Sequence, residues 1–503
     1  MNIRHETSTR SPSGNSRTIL VGLIVTLTLS ALDQTIVGPA LPQIAGEFGG
    51  LGHLAWIVMA FMLASTVTMP LYGKASDLYG RRPLFVVAIV VFLIGSALCG
   101  LAGSMIQLIL FRGLQGLGAG GLMTLAQITI ADIVPPRERG RYQGLFTAVF
   151  AVCSVVGPLL GGVITDVLSW RWLFYVNLPI GSAALALILV ALPRSGKRVV
   201  HHLDYVGALL LAAGTVCLLV LMTWGGTVYP WRSAPIAGLV GSAAVLILLF
   251  IQYERVASEP LLPMRLFRKR VFVIAVLVTA LTAMALFGAF VFLPTYFQLV
   301  LGLSPSTAGL LTAPLMGGLI VSSVVGGRIV STTGRYKMFP IIGLAVAATA
   351  LIVATLIITA SASLIFFEIA LVVLGAGLGL VMPNLTVALQ NAVARDELGI
   401  STSTNSFMRS LGGSFGVAVA GAIVAARLGD SRLGGAAGQV AHGGYQFAEL
   451  PHRAAIAAFR HAFSETFLVA AVIVAGAFVC VLFLPDKPLQ SGQRAGAGVP
   501  ETQ

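Results

Sequence analysis

The sequence has 503 residues, of which 57% are hydrophobic and 10% charged, with a net charge of +13. Soluble chains carry about 25% charged residues, so this one cannot cover a water-facing surface, and lipid must be its solvent. Its Lys and Arg residues are divided among short segments between apolar runs rather than gathered on a polar domain, which argues against a nucleic-acid partner.

About 20 apolar residues cross the ~30 Å hydrocarbon layer. That ruler predicts fourteen transmembrane helices, near 19–41, 54–72, 84–103, 106–130, 143–166, 172–192, 205–224, 235–253, 271–294, 308–330, 339–360, 364–389, 405–426 and 463–484. The first run continues past Leu32 and is followed by further spans, so it reads as a retained helix rather than a cleaved signal. It carries Asp33, in LDQTIVGPALP. A carboxylate inside a span costs ~2.5–3.5 kcal/mol on insertion scales and marks ion or proton pathways; the bland alternative is an acid fixed to a packing partner. Gln34 and Thr35 beside it are possible cavity residues, and Pro39 and Pro42 are expected to break the helix.

Between spans two and three, GKASDLYGRR places Asp77, Arg81 and Arg82 in a tight loop bounded by Gly73 and Gly80. An acid there can cap a helix N-terminus or pair with Arg, forming a gate present in one conformation only; plain charge anchoring is the alternative. Span four contains Arg112 and Gln115 in LFRGLQGLGAGG. Arg stays protonated but tunes a nearby carboxylate. Gly116, Gly118 and Gly121 there are formally GxGxxG, yet they lie in a membrane helix without a preceding strand and read as close helix packing. Span five holds Gly157, Pro158, Gly161 and Gly162 as GPLLGG, small residues for close contact and a proline that permits bending. Glu368 in span twelve and Arg409 near the start of span thirteen either line the cavity or snorkel. No cysteine pair, metal-ligand spacing or phosphate-binding loop occurs, so neither a metal, a catalytic centre nor an ATP motor is expected.

Alternate loops differ in Lys and Arg. Arg4, Arg10, Arg17, Lys74, Arg81, Arg82, Arg137, Arg139, Arg141, Arg194, Lys197, Arg198, Arg265, Arg268, Lys269, Arg270, Arg335 and Lys337 fall on one side. The positive-inside rule makes that side cytoplasmic, with both termini there and a long outer loop at 427–462. GKASDLYGRR recurs as GRIVSTTGRY from Gly327, and LGAGGLM from Leu117 as LGAGLGL from Leu374. Such recurrence betrays a transporter built from parallel halves. The expected division is a tail at 1–18, a six-helix half at 19–198, an inserted two-helix hairpin at 199–260, a second six-helix half at 261–485 and a tail at 486–503.

GKASDLYGRRP, LFRGLQGLGAGG and GPLLGG together resemble the signature motifs of the major facilitator superfamily drug/proton antiporters. LDQTIVGPALP and WRWLFYVNLPIG, from Trp170 to Gly181, are similar to further marks of the fourteen-helix multidrug branch. One departure is Cys153, where the antiporter motif usually has another glycine. The resemblance implies an all-α fold of two six-helix halves plus a central insertion. It implies export of lipophilic or cationic drugs, dyes and antibiotics in exchange for protons, with the proton motive force in place of a cofactor. Asp33 is then the protonation site or part of the cation pocket, Arg112 the relay, Gly157 and Pro158 the hinge, and Asp77 with Arg81 the gate. The expected setting is a monomer in the inner (plasma) membrane, whose partners are substrate, protons and lipid. A dedicated exporter of one metabolite, siderophore or lipid is the alternative; a membrane enzyme or sensor is a remoter one.

Overall fold

The computed structural model describes residues 15–48, 54–193, 204–226, 228–257, 259–360, 363–430, 452–486 and 489. Fourteen helices are long and apolar enough to cross a bilayer: α1 (Arg17–Ala40), α2 (Trp56–Tyr79), α3 (Arg81–Gly100), α4 (Met105–Ile133), α5 (Arg139–Val167), α6 (Trp172–Ala191), α7 (Tyr205–Trp224), α8 (Ala234–Val256), α9 (Arg270–Leu299), α10 (Thr307–Thr333), α11 (Met338–Ala360), α12 (Leu364–Ala392), α13 (Leu398–Val424) and α14 (Phe459–Leu482). Helix is the form lipid demands, because no water is available to satisfy a backbone N–H or C=O there. The predicted spans match in number and order. The proline expectation also holds: continuous helix ends at Ile36, a 3-10 turn covers Gly38–Ala40, and a short helix follows over Leu41–Phe48.

Three boundaries differ from the sequence expectation. Span two, placed at 54–72, runs on to Tyr79, so Gly73 and Asp77 lie within α2, Arg81 and Arg82 open α3, and Gly80 alone separates the two helices in place of the expected loop. Span thirteen, placed at 405, begins at Leu398, because the run Ser401–Ser406 is buried inside the helix and not in a loop. Its hydroxyls return bonds to the helix backbone, as Ser403 and Thr404 do to the Ile400 carbonyl. The expected outer loop at 427–462 is shorter, since helix reaches Asp430 and resumes at His452; residues 431–451, with His442, lie outside the described residues.

Two sets of buried side chains form the core. One is drawn from residues between Ile19 and Leu192, the other from Phe250 to Leu489 with Ala151 of α5 joining it. α7 and α8 pack on each other and α7 also touches α2 and α13. Between the halves, α2 meets α13 and α5 meets α10. Matching α1–α6 to α9–α14 makes α2 the counterpart of α10 and α5 the counterpart of α13, so these two contacts are one contact repeated with the halves exchanged.

The loop repeat is equally visible. Gly80 and Gly334 both have positive φ, +89° and +71°, a region that only glycine occupies without strain. Gly73 and Gly327 both face the opposite half: a Cβ on Gly73 would strike Ser403, and one on Gly327 would strike the Gly140 backbone. The glycine-rich repeat needs a shift of two residues from the LGAGGLM–LGAGLGL pairing. Gly116 and Gly120 lean on α2 while Gly118 leans on α3; correspondingly, Gly375 and Gly379 lean on α10 while Gly377 leans on α11. Gly116 is therefore matched by Gly375, not Gly118, because contacts rather than letter identity set the register.

Candidate functional site

Four helices converge on Asp33. Arg112 and Gln115 come from α4, one turn apart on one face; Ser96 comes from α3 and Asn177 from α6. Arg112 Nη1 lies 2.7 Å from Asp33 Oδ2. Gln115 Nε2 and Asn177 Nδ2 donate to Asp33 Oδ1 at 2.9 and 2.7 Å. Gln115 and Asn177 also donate to the Ser96 hydroxyl, at 3.2 and 3.0 Å, which in turn donates to the Phe174 carbonyl at 2.8 Å. Arg112 also donates to Gln115 Oε1, 2.8 Å, and to the Ile57 carbonyl, 3.3 Å, and lies 4.2 Å over the Phe61 ring. Asp33 has no solvent exposure and Arg112 has 1%.

The carboxyl thus does not stand alone in the span, as its sequence position suggests. It is fully ion-paired and accepts three N–H donors, a demand that suits an ionised carboxylate. The carboxylate offers about four lone-pair sites to its three donors, and protonation would remove the charge that pairs Arg112, so the pair is either a fixed brace or a switch with Arg112 as its moving part. Asn177 and Ser96 are members that motif reading passed over. Asn177 stands inside WRWLFYVNLPIG, and a polar side chain in an apolar span is itself the signal that could have found it. Gln34 is exposed, and Thr35 donates to the Cys153 carbonyl of α5 at 2.9 Å.

The GPLLGG face divides in two. Gly157 and Gly161 press on Thr35 and Ile36 of α1, whereas Gly162 has open space and Pro158 is exposed. Cys153, one turn before Gly157, continues the same contact and is buried, so the departure from glycine is accommodated.

The seam between the halves is held from the end that carries the basic loops. Asp77 Oδ1 and Oδ2 accept from the backbone N–H of Gly399 and Ile400, 3.2 and 3.0 Å, at the N-terminus of α13. That is a helix cap supplied across the seam, reinforced by the positive end of the helix dipole. Arg81 clamps the arrangement, 2.7 Å from both Asp77 and Asp132, the latter at the end of α4. Asp132 was invisible to motif reading, being fifty-one residues from Arg81 in sequence. Arg82 makes no ion pair among the described residues. Further up the seam, Ser406 donates to Gln127 at 3.0 Å, Arg409 Nη2 lies 3.3 Å from Met123 Sδ, and the Thr66 and Ser410 hydroxyls are 2.6 Å apart. On the other side Gly140 and Gly144 of α5 meet the backbones of Gly327 and Ser323. Arg139 donates to the Gln390 carbonyl at 3.4 Å. Thr66 is thirteen residues above Tyr79, the end of α2, or roughly 20 Å. One turn beyond it, on the same face of α2, Met62 is 39% exposed.

Glu368 stands apart, in the second turn of α12, with both carboxyl oxygens buried and no hydrogen-bond partner. At the end opposite the basic loops, Glu47 accepts from Trp170 Nε1 at 2.7 Å and from both terminal nitrogens of Arg171, 3.0 and 2.6 Å. The Arg171 and Trp170 hydrogen bonds hold its carboxyl below the usual carboxylate range. On the basic side, burial pushes Glu397 up, but bonding to Lys269 and the charges of Lys269 and Arg265 outweigh it, leaving this carboxyl lowered.

Fourteen spanning helices in two repeated halves, joined along a seam at one end, define a polytopic membrane transporter. The chain belongs to the Major Facilitator Superfamily, whose description matches residues 23–417. Multidrug transporter protein MdtP of Bacillus subtilis (strain 168) is 40% identical over 417 residues, covering 83% of this chain and 77% of that protein. Multidrug resistance protein 3 of the same organism is 34% identical over 416 residues, covering 83% and 81%. Among solved structures, the proton:xylose symporter XylE bound to 6-bromo-6-deoxy-D-glucose aligns with a TM-score of 0.64 over 95% of this chain and 98% of that one, at 15% identity, a likeness of fold.

Proposed function

We propose that this protein is a proton-driven exporter of small amphipathic compounds, lipophilic cations among them, as the names of its multidrug relatives suggest. The end carrying the basic loops is cytoplasmic by the positive-inside rule, with both termini there and the chain set as a monomer in the inner (plasma) membrane. Its division runs 1–18, 19–198, 199–260, 261–485 and 486–503, with the hairpin α7–α8 inserted between the halves.

The observation that carries this proposal is the seam. Its cap of α13 by Asp77 exists only while the halves meet at the basic end, and so belongs to one of two alternating conformations. In the state described here the pathway faces away from the cytoplasm. An external proton reaches Asp33, releases Arg112, and substrate leaves; reformation of the pair accompanies return. For a neutral substrate, the one charge moved through ~100 mV supplies about 2.3 kcal/mol, enough for a gradient of roughly fifty-fold; a monovalent cation exchanged for one proton moves no net charge, so the pH difference alone drives its export.

The test is ethidium uptake into everted vesicles driven by an imposed pH gradient. Wild type is expected to accumulate the dye and Asp33→Asn to fail even when flux is normalised to the amount of protein in the membrane. Full-rate pumping by Asp33→Asn removes Asp33 as the coupling site; no gradient-driven flux of any dye by wild type removes the proposal.

A further inference from the structure

Arg409 is a cation inside the seam that no carboxylate answers among the described residues. It lies eleven residues into α13 from Leu398, roughly 17 Å from the basic end, far deeper than its predicted place near the start of a span. It is half-buried, and the one partner seen for its five N–H donors is the thioether of Met123, a weak acceptor. Among the described residues no carboxylate pairs with it. Arg81, Arg112, Arg171, Arg265 and Arg427 all have one.

The acids around it are occupied. Asp33 is held by Arg112, Asp77 by Arg81 and the α13 terminus, Asp132 by Arg81, and Glu397 by Arg265 and Lys269. Glu368 is unpaired but sits in the second turn of α12, at the other end of the bundle. Arg409 also stands at the last of the contacts described along this flank of the seam. Just below it Ser406 grips Gln127; beside it Ser410 meets Thr66; one turn above Thr66, Met62 is 39% exposed. Apolar groups from both halves border the same level: Met123 of α4, Met62 of α2, and Phe287 of α9, which lies against Gly413 one turn along α13 from Arg409. Thioethers adapt to varied apolar shapes, and a guanidinium fork matches a carboxylate or sulfonate.

We propose that the protein takes amphipathic anions between its halves, compounds with an apolar body and a carboxylate or sulfonate group, and that Arg409 binds the anionic group. This rests on the proposed transport site lying between the halves above the seam, and extends its substrates beyond lipophilic cations. With Asp33 neutralised by Arg112, the unanswered charge of Arg409 is positive.

The experiment uses the full-length protein in detergent and fluorescence anisotropy with a matched pair of probes. Dansylglycine carries a carboxylate at pH 7; dansylglycinamide is its uncharged counterpart. Wild type is expected to bind dansylglycine about tenfold or more tightly than the amide. Arg409→Gln is expected to abolish that preference while leaving amide affinity within about twofold. Arg409→Met, which suits the apolar surroundings, is the second charge-removing variant should Gln impair folding, and Arg409→Lys should retain most of the preference. Equal wild-type affinity for both probes overturns the proposal, as does a preference that survives in Arg409→Gln or Arg409→Met. Because binding needs no gradient, a carboxylate preference that depends on Arg409 supports this site even if vesicles show no proton-driven ethidium flux, a result that would sink the export mechanism alone.

Discussion

Asp33 and Arg112 are buried to the point that neither can lose its partner cheaply. Removing one member of such a pair leaves an uncompensated charge, at a cost of about 3–5 kcal/mol, whereas removing both can be nearly neutral. Asp33→Asn and Arg112→Gln should each lower the thermal unfolding midpoint of the purified protein, and the double variant should recover a large part of the loss. A double variant as unstable as the sum of the singles would mean that the two side chains are energetically independent, and that their 2.7 Å contact braces nothing. Asp33 and Arg112 were each visible in the sequence as charges in apolar runs. Their partnership was not, because they lie 79 positions apart and only the fold brings them together. Gln115 was legible from its spacing to Arg112, but Asn177 and Ser96 came into view only when α3 and α6 closed around them.

At the level of helices, length and hydropathy sufficed for thirteen of the starts to within several residues, and failed at α13. A ruler that scores side chains by polarity reads Ser401–Ser406 as loop; a helix whose hydroxyls bond back onto its own carbonyls, packed against the other half, keeps the same residues buried. The GPLLGG face makes a sharper forecast than its motif does. Gly161→Ala should impair assembly and dye efflux, since a Cβ there meets the Ile36 carbonyl of α1, while Gly162→Ala, with open space around it, should behave as wild type. Equal effects of the two substitutions in a vesicle efflux assay would refute the α1–α5 contact as the reason for the glycines. The clasp from Glu47 to Trp170 and Arg171 ties the segment after α1 to the start of α6. Its carboxyl is lowered on folding, so the stabilisation is complete above the unfolded value near 4.5 and is lost as pH falls through the folded value. Thermal midpoints measured from pH 7 down to pH 3 should therefore fall at the acid end, and Glu47→Gln should reduce that slope. Being partly exposed, the pair is worth only about 0–1 kcal/mol, so the variant should differ little from wild type at pH 7.

The molecule as a whole turns on its seam. Asp77→Asn keeps a weaker acceptor but loses the charge that suits the α13 terminus, so the basic end should open more often. Ser403→Cys, packed against Gly73 at that contact, should then react faster with a membrane-impermeant maleimide added from the basic side than it does with Asp77 intact. Unchanged labelling would mean the cap does not hold the seam. The halves, their repeat and the loop glycines could be read from recurring letters, yet the register of the glycine-rich repeat could not, for it is decided by which neighbour each glycine leans on. That repeat also makes an inequality plain. Ser331 occupies the place in α10 that Asp77 holds in α2, and where α2 reaches α13 through a carboxylate, α10 meets α5 through the bare backbones of Gly327 and Gly140. Two geometrically equivalent junctions are therefore held by different forces, one a charged cap on a helix end, the other close backbone contact. Parting the basic end breaks charged hydrogen bonds on the α2–α13 flank and dispersion contact on the α5–α10 flank, so a single substitution at Asp77 weakens one flank and leaves its equivalent untouched.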